Sequence, residues 1–114
     1  MVPSAAGAVV LVRFPFSDVS SSKLRPAVVL AEVGRGDWIL CQITSNPYSD
    51  VRAVMLSDGS FRHGGLQRTS YARPGKLFIA NHDLTEAEVG LLKADALREA
   101  IDAVVNLLHS GLEV

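Results

Sequence analysis

Residues 26–44 of the chain are PAVVLAEVGRGDWILCQIT, two apolar runs separated by a short polar segment. The runs Pro26–Val33 and Trp38–Thr44 are rich in Val, Ile and Leu, as is typical of β-strands. Between them, Gly34-Arg35-Gly36-Asp37 has the glycines that a tight turn requires. The pattern therefore predicts an antiparallel hairpin in the first half of the chain.

Further apolar runs extend this hairpin into a larger sheet. We expect strands at Ala8–Phe14 and Val51–Leu56, and a longer one at Thr69–Ala80 that is interrupted at Arg73-Pro74-Gly75. Thr85-x-x-Glu88 fits the start of a helix, but Gly90 disfavours one, so a short final strand at Glu88–Leu92 is favoured. No helical pattern separates the strands before residue 80, which favours antiparallel pairing over a parallel sheet. The sequence therefore predicts a small antiparallel β-barrel.

A C-terminal helix has the clearest periodicity in the chain. At about 100° per residue, five apolar residues fall on one stripe, which we expect to pack on the barrel: Leu97, Ile101, Val104, Val105 and Leu108. Asp95 is the expected N-cap, and Gly111 is expected to end the helix. The predicted fold class is therefore mainly β, an α+β domain with one helix after the barrel.

Length and composition indicate the class of protein. A chain of 114 residues forms one domain, residues 1–114, and 48% hydrophobic residues suffice for a core. No apolar run approaches the ~20 residues of a membrane helix, and the N-terminal residues lack the pattern of a secretion signal. The single cysteine, Cys41, cannot form an internal disulfide. These features predict a cytoplasmic protein.

The net charge of −1 conceals a segregation of charge along the chain. Residues 1–82 contain nine Lys and Arg against five acidic residues, whereas residues 83–114 contain two against seven. A basic body suits an anionic partner such as RNA or DNA. Taken alone, however, this segregation of charge is explained more simply by an ordinary solvated surface than by a binding site. Because the whole chain is nearly neutral, we expect any nucleic acid to bind at a local patch.

Several catalytic patterns are excluded. Ser20-x-x-Lys23 has the spacing of a serine nucleophile, but its partner motifs are missing. The three histidines lie far apart and have no ligand at zinc-site spacing, so we expect no metal and no cofactor. The glycines at 34–36 and 64–65 do not connect a strand to a helix, as a phosphate-binding loop must.

Polar residues cluster where the predicted strands begin and end. Arg25 precedes the run that starts at Pro26, and Thr44 closes the run that starts at Trp38. A guanidinium stays charged and can hold a phosphate through two parallel hydrogen bonds. A hydroxyl at a strand end can point into a cleft. From the residues alone, ordinary polarity at strand boundaries remains the simpler explanation for both.

The sequence resembles the MazF/PemK family of bacterial toxins in four segments that occur in order. These are GAVVLV at 7–12, KLRPAVVL at 23–30, CQITSN at 41–46 and TSYARPGKL at 69–77, followed by the C-terminal helix. The family usually has Asp where this chain has Ala8, a departure that concerns the local loop more than the activity. The resemblance implies a small SH3-like β-barrel of the CcdB/MazF/Kid type, a homodimer and a cognate antitoxin as partner.

The same resemblance implies a function and a site. In such toxins the Arg of the Arg-Pro motif and the Thr of the third strand are the functional pair, so Arg25 and Thr44 are the expected catalytic residues. The implied activity is that of a metal-independent endoribonuclease, an mRNA interferase that cuts single-stranded RNA at short sequences. Its expected products end in a 2′,3′-cyclic phosphate and a 5′-OH. The residues expected to bind RNA are Phe16, Lys23, Ser45, Asn46 and Arg73.

Two other functions fit the same fold. CcdB-type toxins poison DNA gyrase by contact, and an inactive SH3-like module would bind RNA without cutting it. RNA cleavage in the absence of gyrase distinguishes the ribonuclease from the other two, and RNA binding without cleavage identifies the inactive module. Phe16 is also an open case, because it suits the core as well as it suits a stacking role.

Overall fold

The structure, a computed structural model, describes residues 2–14 and 23–113. Within these ranges the chain forms seven β-strands and one α-helix: β1 (Ala8–Phe14), β2 (Lys23–Gly34), β3 (Asp37–Thr44), β4 (Val54–Leu56), β5 (Phe61–Gly64), β6 (Ser70–Asn81), β7 (Thr85–Leu92) and α1 (Ala94–Ser110). Short 3₁₀ turns lie at Asp58–Ser60, His82–Leu84 and Gly111–Glu113.

All described strands pair antiparallel in one seven-stranded sheet of order β4-β6-β3-β2-β1-β7-β5. Its two edges, β4 and β5, are consecutive in the chain, and residue 56 ends one while residue 61 begins the other. Five residue steps span at most about 17 Å, so the sheet must curl until its edges approach each other. The predicted small antiparallel barrel is confirmed in this form, as a curled sheet followed by one helix.

The β2–β3 hairpin has the predicted tight turn, but β2 is longer than expected. Arg35 (φ 57°) and Gly36 (φ 79°) are both left-handed, as a two-residue hairpin turn requires. At its other end β2 begins at Lys23 rather than Pro26, and Arg25 pairs with Val12 of β1. The expectation that Arg25 precedes the strand is therefore wrong, because pairing with β1 continues the ladder beyond the apolar run.

Four other strands differ from expectation because partners distant in sequence determine where they pair. The expected Val51–Leu56 strand begins only at Val54, and β7 starts at Thr85 rather than Glu88. β5 was not expected at all. The predicted interruption at Arg73-Pro74-Gly75 takes the form of a bulge: β6 continues through it as one strand, but its pairing with β3 shifts there. On either side of the bulge, Cys41 pairs with Leu77 and Ile43 pairs with Ala72.

The sheet is buried on both faces. One core cluster includes Val9, Val28, Cys41 and Ile43, together with Ala96 from α1. The other includes Val10, Val12, Ala27, Val29 and Leu40. Adjacent residues of β1 and β2 thus belong to opposite clusters, as the two-residue period of a strand requires. This burial explains why these strands are continuous apolar runs.

The helix is where expected, but it packs through a partly different face. Its buried residues are Ala96, Ala100 and Val104, whereas Ile101 is 37% and Leu108 is 65% exposed. The predicted packing stripe is therefore only partly right: Val104 is buried and Leu97 packs against the first core cluster. The centre of the buried face is rotated from the predicted one by roughly 80°, because alanine allows a helix to lie closer to a sheet than leucine does.

The N-cap of α1 differs from the predicted one, whereas its C-terminal end agrees with the prediction. Lys93, not Asp95, occupies the N-cap position. Asp95 lies in the first turn, where its carboxylate accepts the Ala96 N–H. Its negative charge also interacts favourably with the positive end of the helix dipole. Gly111 ends the helix as expected. In the described part of the chain, no helix is long and apolar enough to cross a membrane.

Candidate functional site

A cleft of about 500 Å³ opens on the sheet where β2, β3 and two loops meet. Its apolar floor continues the first core cluster through Ile43, Leu66 and Val89. Its described polar lining contains two cationic residues and no acidic one: Arg25, Thr44, Ser45, Tyr48, Gln67, Arg68 and Ser70. The charge of this lining suits an anionic ligand.

The cleft brings Arg25 and Thr44 together. In the β2–β3 ladder Ala27 pairs with Gln42, and the same register continued by two residues places Arg25 opposite Thr44. Opposite residues of antiparallel strands lie on the same face of a sheet. The Arg25 side chain is exposed, so its guanidinium is accessible to a ligand. Two residues 19 positions apart in sequence therefore line one cleft.

The Thr44 hydroxyl is oriented by the start of the β3–β4 loop. Its oxygen accepts the Asn46 backbone N–H (3.2 Å), and the hydroxyl donates to the Asn46 carbonyl (3.0 Å). A hydroxyl oxygen has two acceptor lone pairs, so it can accept a further hydrogen bond as it stands. To donate to a phosphate, it must rotate away from the Asn46 carbonyl.

The other predicted site residues are spread more widely. Ser45 lines the cleft. Asn46 uses its side-chain oxygen to accept the Tyr48 N–H (3.0 Å), and it is a loop-forming residue in this structure. Lys23 is exposed at the first position of β2, where it pairs with Phe14, but it is not among the lining residues. Phe16 lies outside the described residues.

Arg73 is held in place beside the cleft. Its Nε donates to Asp50 Oδ2 (3.1 Å), and both side chains are about four-fifths buried. Burial alone would raise the pKa of the Asp50 carboxyl, but the Arg52 backbone N–H and the Arg73 guanidinium outweigh it and lower that pKa. Asp50 is therefore a carboxylate at neutral pH, paired with Arg73.

Three cleft residues were missed at the sequence level: Tyr48, Gln67 and Arg68. Gln67 and Arg68 follow the Gly64-Gly65 pair, and the glycines alone indicated only a turn. The buried Ser70 hydroxyl donates to the Arg68 carbonyl (3.0 Å) and fixes the end of this loop. The available signal was a polar pair separated from two glycines by Leu66 alone, but no local pattern places that pair beside Arg25.

Comparisons with known proteins find similarity in structure and none in sequence. No family model and no curated protein matches the chain. The MazE–MazF complex of Deinococcus radiodurans aligns with a TM-score of 0.72 at 23% identity, over 95% of this chain and 96% of that one. The Mycobacterium tuberculosis toxin MazF-mt6 aligns with a TM-score of 0.69 at 15% identity, over 89% and 95%.

A mycobacterial endoribonuclease in complex with its cognate antitoxin aligns as well, with a TM-score of 0.71 at 12% identity and 95% coverage of both chains. Alignments of this length include the curled sheet and the C-terminal helix together. At such identities they demonstrate a common fold. The chain therefore has the fold of the MazF toxins.

Proposed function

We propose that this protein is the toxin of a type II toxin–antitoxin pair, and that it cleaves single-stranded RNA without a metal ion. The observation that carries the proposal is the placement of Arg25 and Thr44 on one face of a cleft without described acidic lining. An exposed guanidinium beside a hydroxyl suits a phosphodiester. The alignment of this chain with an endoribonuclease and with MazF toxins supports the same activity.

The proposed reaction is a transesterification within the RNA. The ribose 2′-oxygen loses its proton and bonds to the adjacent phosphorus, the P–O5′ bond breaks, and O5′ takes up a proton. The products end in a 2′,3′-cyclic phosphate and a 5′-OH. Since the RNA supplies the nucleophile, the protein must orient the phosphate and stabilise the charge that develops on it.

Arg25 and Thr44 have distinct roles in this proposal. The Arg25 guanidinium binds the non-bridging oxygens as negative charge accumulates in the transition state. The Thr44 hydroxyl, released from the Asn46 carbonyl, donates to the same phosphate and fixes it for in-line attack. Ser45, Gln67 and Arg68 are close enough around the cleft to contact the flanking nucleotides.

The test is incubation of purified protein with mixed-sequence single-stranded RNA in excess EDTA, with the fragment ends read by mass spectrometry. We expect discrete cuts that end in cyclic phosphate. Arg25→Ala should reduce the rate about 100- to 1,000-fold. Arg35→Ala is the matched control, because Arg35 is an exposed arginine in the β2–β3 turn and not a lining residue.

Each part of the proposal can fail separately in this experiment. Arg25→Ala cleaving at the wild-type rate would contradict the catalytic assignment. Activity abolished by EDTA would contradict metal independence. Intact RNA with the wild-type protein would contradict the nuclease activity, and gyrase inhibition or RNA binding without cleavage would then be measured.

We further propose that the protein is a homodimer, acts in the cytoplasm and binds an antitoxin that blocks the cleft. The aligned complexes with MazE and with a cognate antitoxin support such a partner. Light scattering should give a mass of about 24 kDa, twice that of the 12.2 kDa chain. The antitoxin should compete with RNA, and a ternary complex of toxin, antitoxin and RNA would contradict blocking.

A further inference from the structure

An exposed aromatic ring lies at the rim of the candidate cleft. Tyr48 is 68% exposed, whereas the other aromatic residues with described side chains are buried or half-buried: Trp38, Phe61, Tyr71 and Phe78. A single exposed ring is ordinary on a protein surface, but this one lines a cleft that also contains Arg25. The proposed function assigns roles to Arg25 and Thr44 and to the polar residues around them, but none to this ring.

The backbone at Tyr48 is held in an uncommon conformation. Tyr48 (φ 52°) and Ser49 (φ 63°) are both left-handed, which side chains with a Cβ adopt rarely. The turn is closed by the Tyr48 N–H on Asn46 Oδ1 (3.0 Å) and by the Asp50 N–H on the Pro47 carbonyl (2.9 Å). The ring is therefore presented by a fixed turn rather than by a free loop.

One face of the ring is supported by a cation. Arg73 Cζ lies 5.8 Å from the ring centroid, within the range of a cation–π contact. The guanidinium is fixed in turn by the Asp50 carboxylate, which also accepts the Arg52 N–H (3.0 Å). Arg73 thus covers one face, and the high exposure of Tyr48 leaves the opposite face open.

We infer that Tyr48 is a stacking platform for an unpaired base of the RNA, with Arg73 and Asp50 as positioning residues; this rests on the proposed function. Proteins bind single strands by stacking bases on aromatic rings beside cationic groups. Here the open ring shares its cleft with Arg25, so the stacked base lies in a nucleotide close to the cleaved phosphate.

The surroundings favour a base over an apolar protein segment. The cleft that Tyr48 lines also contains Arg25, Gln67 and Arg68 and, among its described lining residues, no acidic one, so it suits a nucleotide better than an apolar segment. Stacking is tolerant of base identity because every base has a π-face. Tyr48 therefore sets affinity and position, and the Gln67 amide is the group available to recognise a base edge.

The test is a double-mutant cycle that measures binding affinity, with one change at Tyr48 and the other at a base of the RNA. The RNA is made uncleavable by a 2′-deoxy sugar at the mapped cleavage position. Each nearby base is removed in turn to leave an abasic sugar. In the wild-type protein, loss of one particular base should weaken binding about 5- to 150-fold. Tyr48→Ala should weaken binding of the intact RNA by a similar factor and should not respond to loss of that base.

Matched variants separate stacking from loop structure. Tyr48→Phe and Tyr48→Trp keep a ring and should keep the dependence on that base. Val51→Ala is the control in the same loop, because Val51 is 96% exposed and not a lining residue. Asp50→Asn frees Arg73 and should weaken binding in the wild-type background but not in Tyr48→Ala. A Tyr48→Trp ring in a Trp38→Phe background should lose fluorescence on RNA binding.

The outcomes distinguish this inference from the proposed function. Tyr48→Ala binding RNA as the wild type does, while Arg25→Ala is inactive, would overturn the platform and leave the nuclease intact. If the Tyr48→Ala variant kept its affinity for RNA but no longer bound the antitoxin, Tyr48 would be a contact for that protein and the stacking platform would be contradicted. A wild-type protein that neither binds nor cleaves RNA would overturn the proposed function, and the platform with it.

Discussion

The pKa and the reactivity of the Cys41 thiol are determined by where the fold places this side chain. Cys41 lies in β3 within the first core cluster and is 1% exposed, and its thiol donates to the Arg73 carbonyl (3.1 Å). Burial raises the pKa of the thiol to about 12, and the Asp50 charge acts in the same direction. Thiolates, not thiols, are nucleophilic. The single cysteine is therefore a packing residue that also fixes the β6 bulge.

We predict that Cys41 is unreactive in the native protein. At pH 8 a disulfide reagent such as DTNB should modify it orders of magnitude more slowly than it modifies the guanidinium-unfolded chain, because an unfolded thiol has its ordinary pKa of about 9.0. The measurement is the absorbance of the released thiol anion, with Cys41→Ala as a blank. Native labelling as fast as unfolded labelling would contradict the burial of this side chain.

At the scale of elements, β5 and β7 approach each other through two glycines. Gly64 pairs with Gly90, has φ 68°, and a Cβ added to it would clash with the Val89 carbonyl oxygen. The Gly65 N–H then donates to that same oxygen (3.1 Å). This contact begins the loop that carries Gln67 and Arg68 over the cleft, so pairing at the sheet edge positions part of the candidate site.

We therefore predict that Gly64→Ala loosens the β5 edge and displaces the 65–69 loop. The free energy of unfolding, measured with urea, should fall by about 2 kcal/mol or more, the range for a strained backbone combined with a steric clash. Gly59→Ala is the matched control, because its nearest contact would be 3.9 Å away and its φ is not left-handed. That change should stay within about 0.5 kcal/mol. Equal losses in the two variants would contradict the close approach.

At the scale of the whole molecule, the segregated charge becomes a spatial arrangement. Five of the seven acidic residues after position 82 lie in β7 or α1, and none of these five is among the lining residues of the cleft. The described charges of the cleft itself are Arg25 and Arg68. A nearly neutral protein can therefore present a basic cleft, which fits the expectation of a local patch.

We predict that RNA affinity falls with salt in proportion to the cleft cations that meet phosphates. For single strands the slope of log K against log salt is about −0.7 per phosphate neutralised. Arg68→Gln should make the slope less steep by about 0.7. Arg98→Gln, on α1 among acidic residues and outside this cleft, should leave the slope unchanged. A change of equal size in both variants would mean that the whole molecule, not the cleft, attracts RNA.

Local patterns in the amino-acid sequence were sufficient for the elements whose determinants lie within a few residues. β1, the β2–β3 hairpin with its tight turn, and the position of α1 were all predicted, because strand periodicity, glycine in a turn and the helical repeat act at short range. β5 was missed, since Phe61-Arg62-His63-Gly64 has no strand pattern and is held by β7, more than 20 residues later.

The candidate site was likewise predictable from the sequence only in part. Arg25 and Thr44 were noticed in the sequence as a charged group and a hydroxyl at predicted strand ends, but only the family resemblance implied a catalytic role for them. Their meeting in one cleft depends on the β2–β3 register. Tertiary structure alone decided that Arg73 is held by Asp50, that Tyr48 stands open beside the cleft, and that α1 packs through alanines. These outcomes depend on contacts between distant segments, and no local pattern encodes which segments the curled sheet brings together.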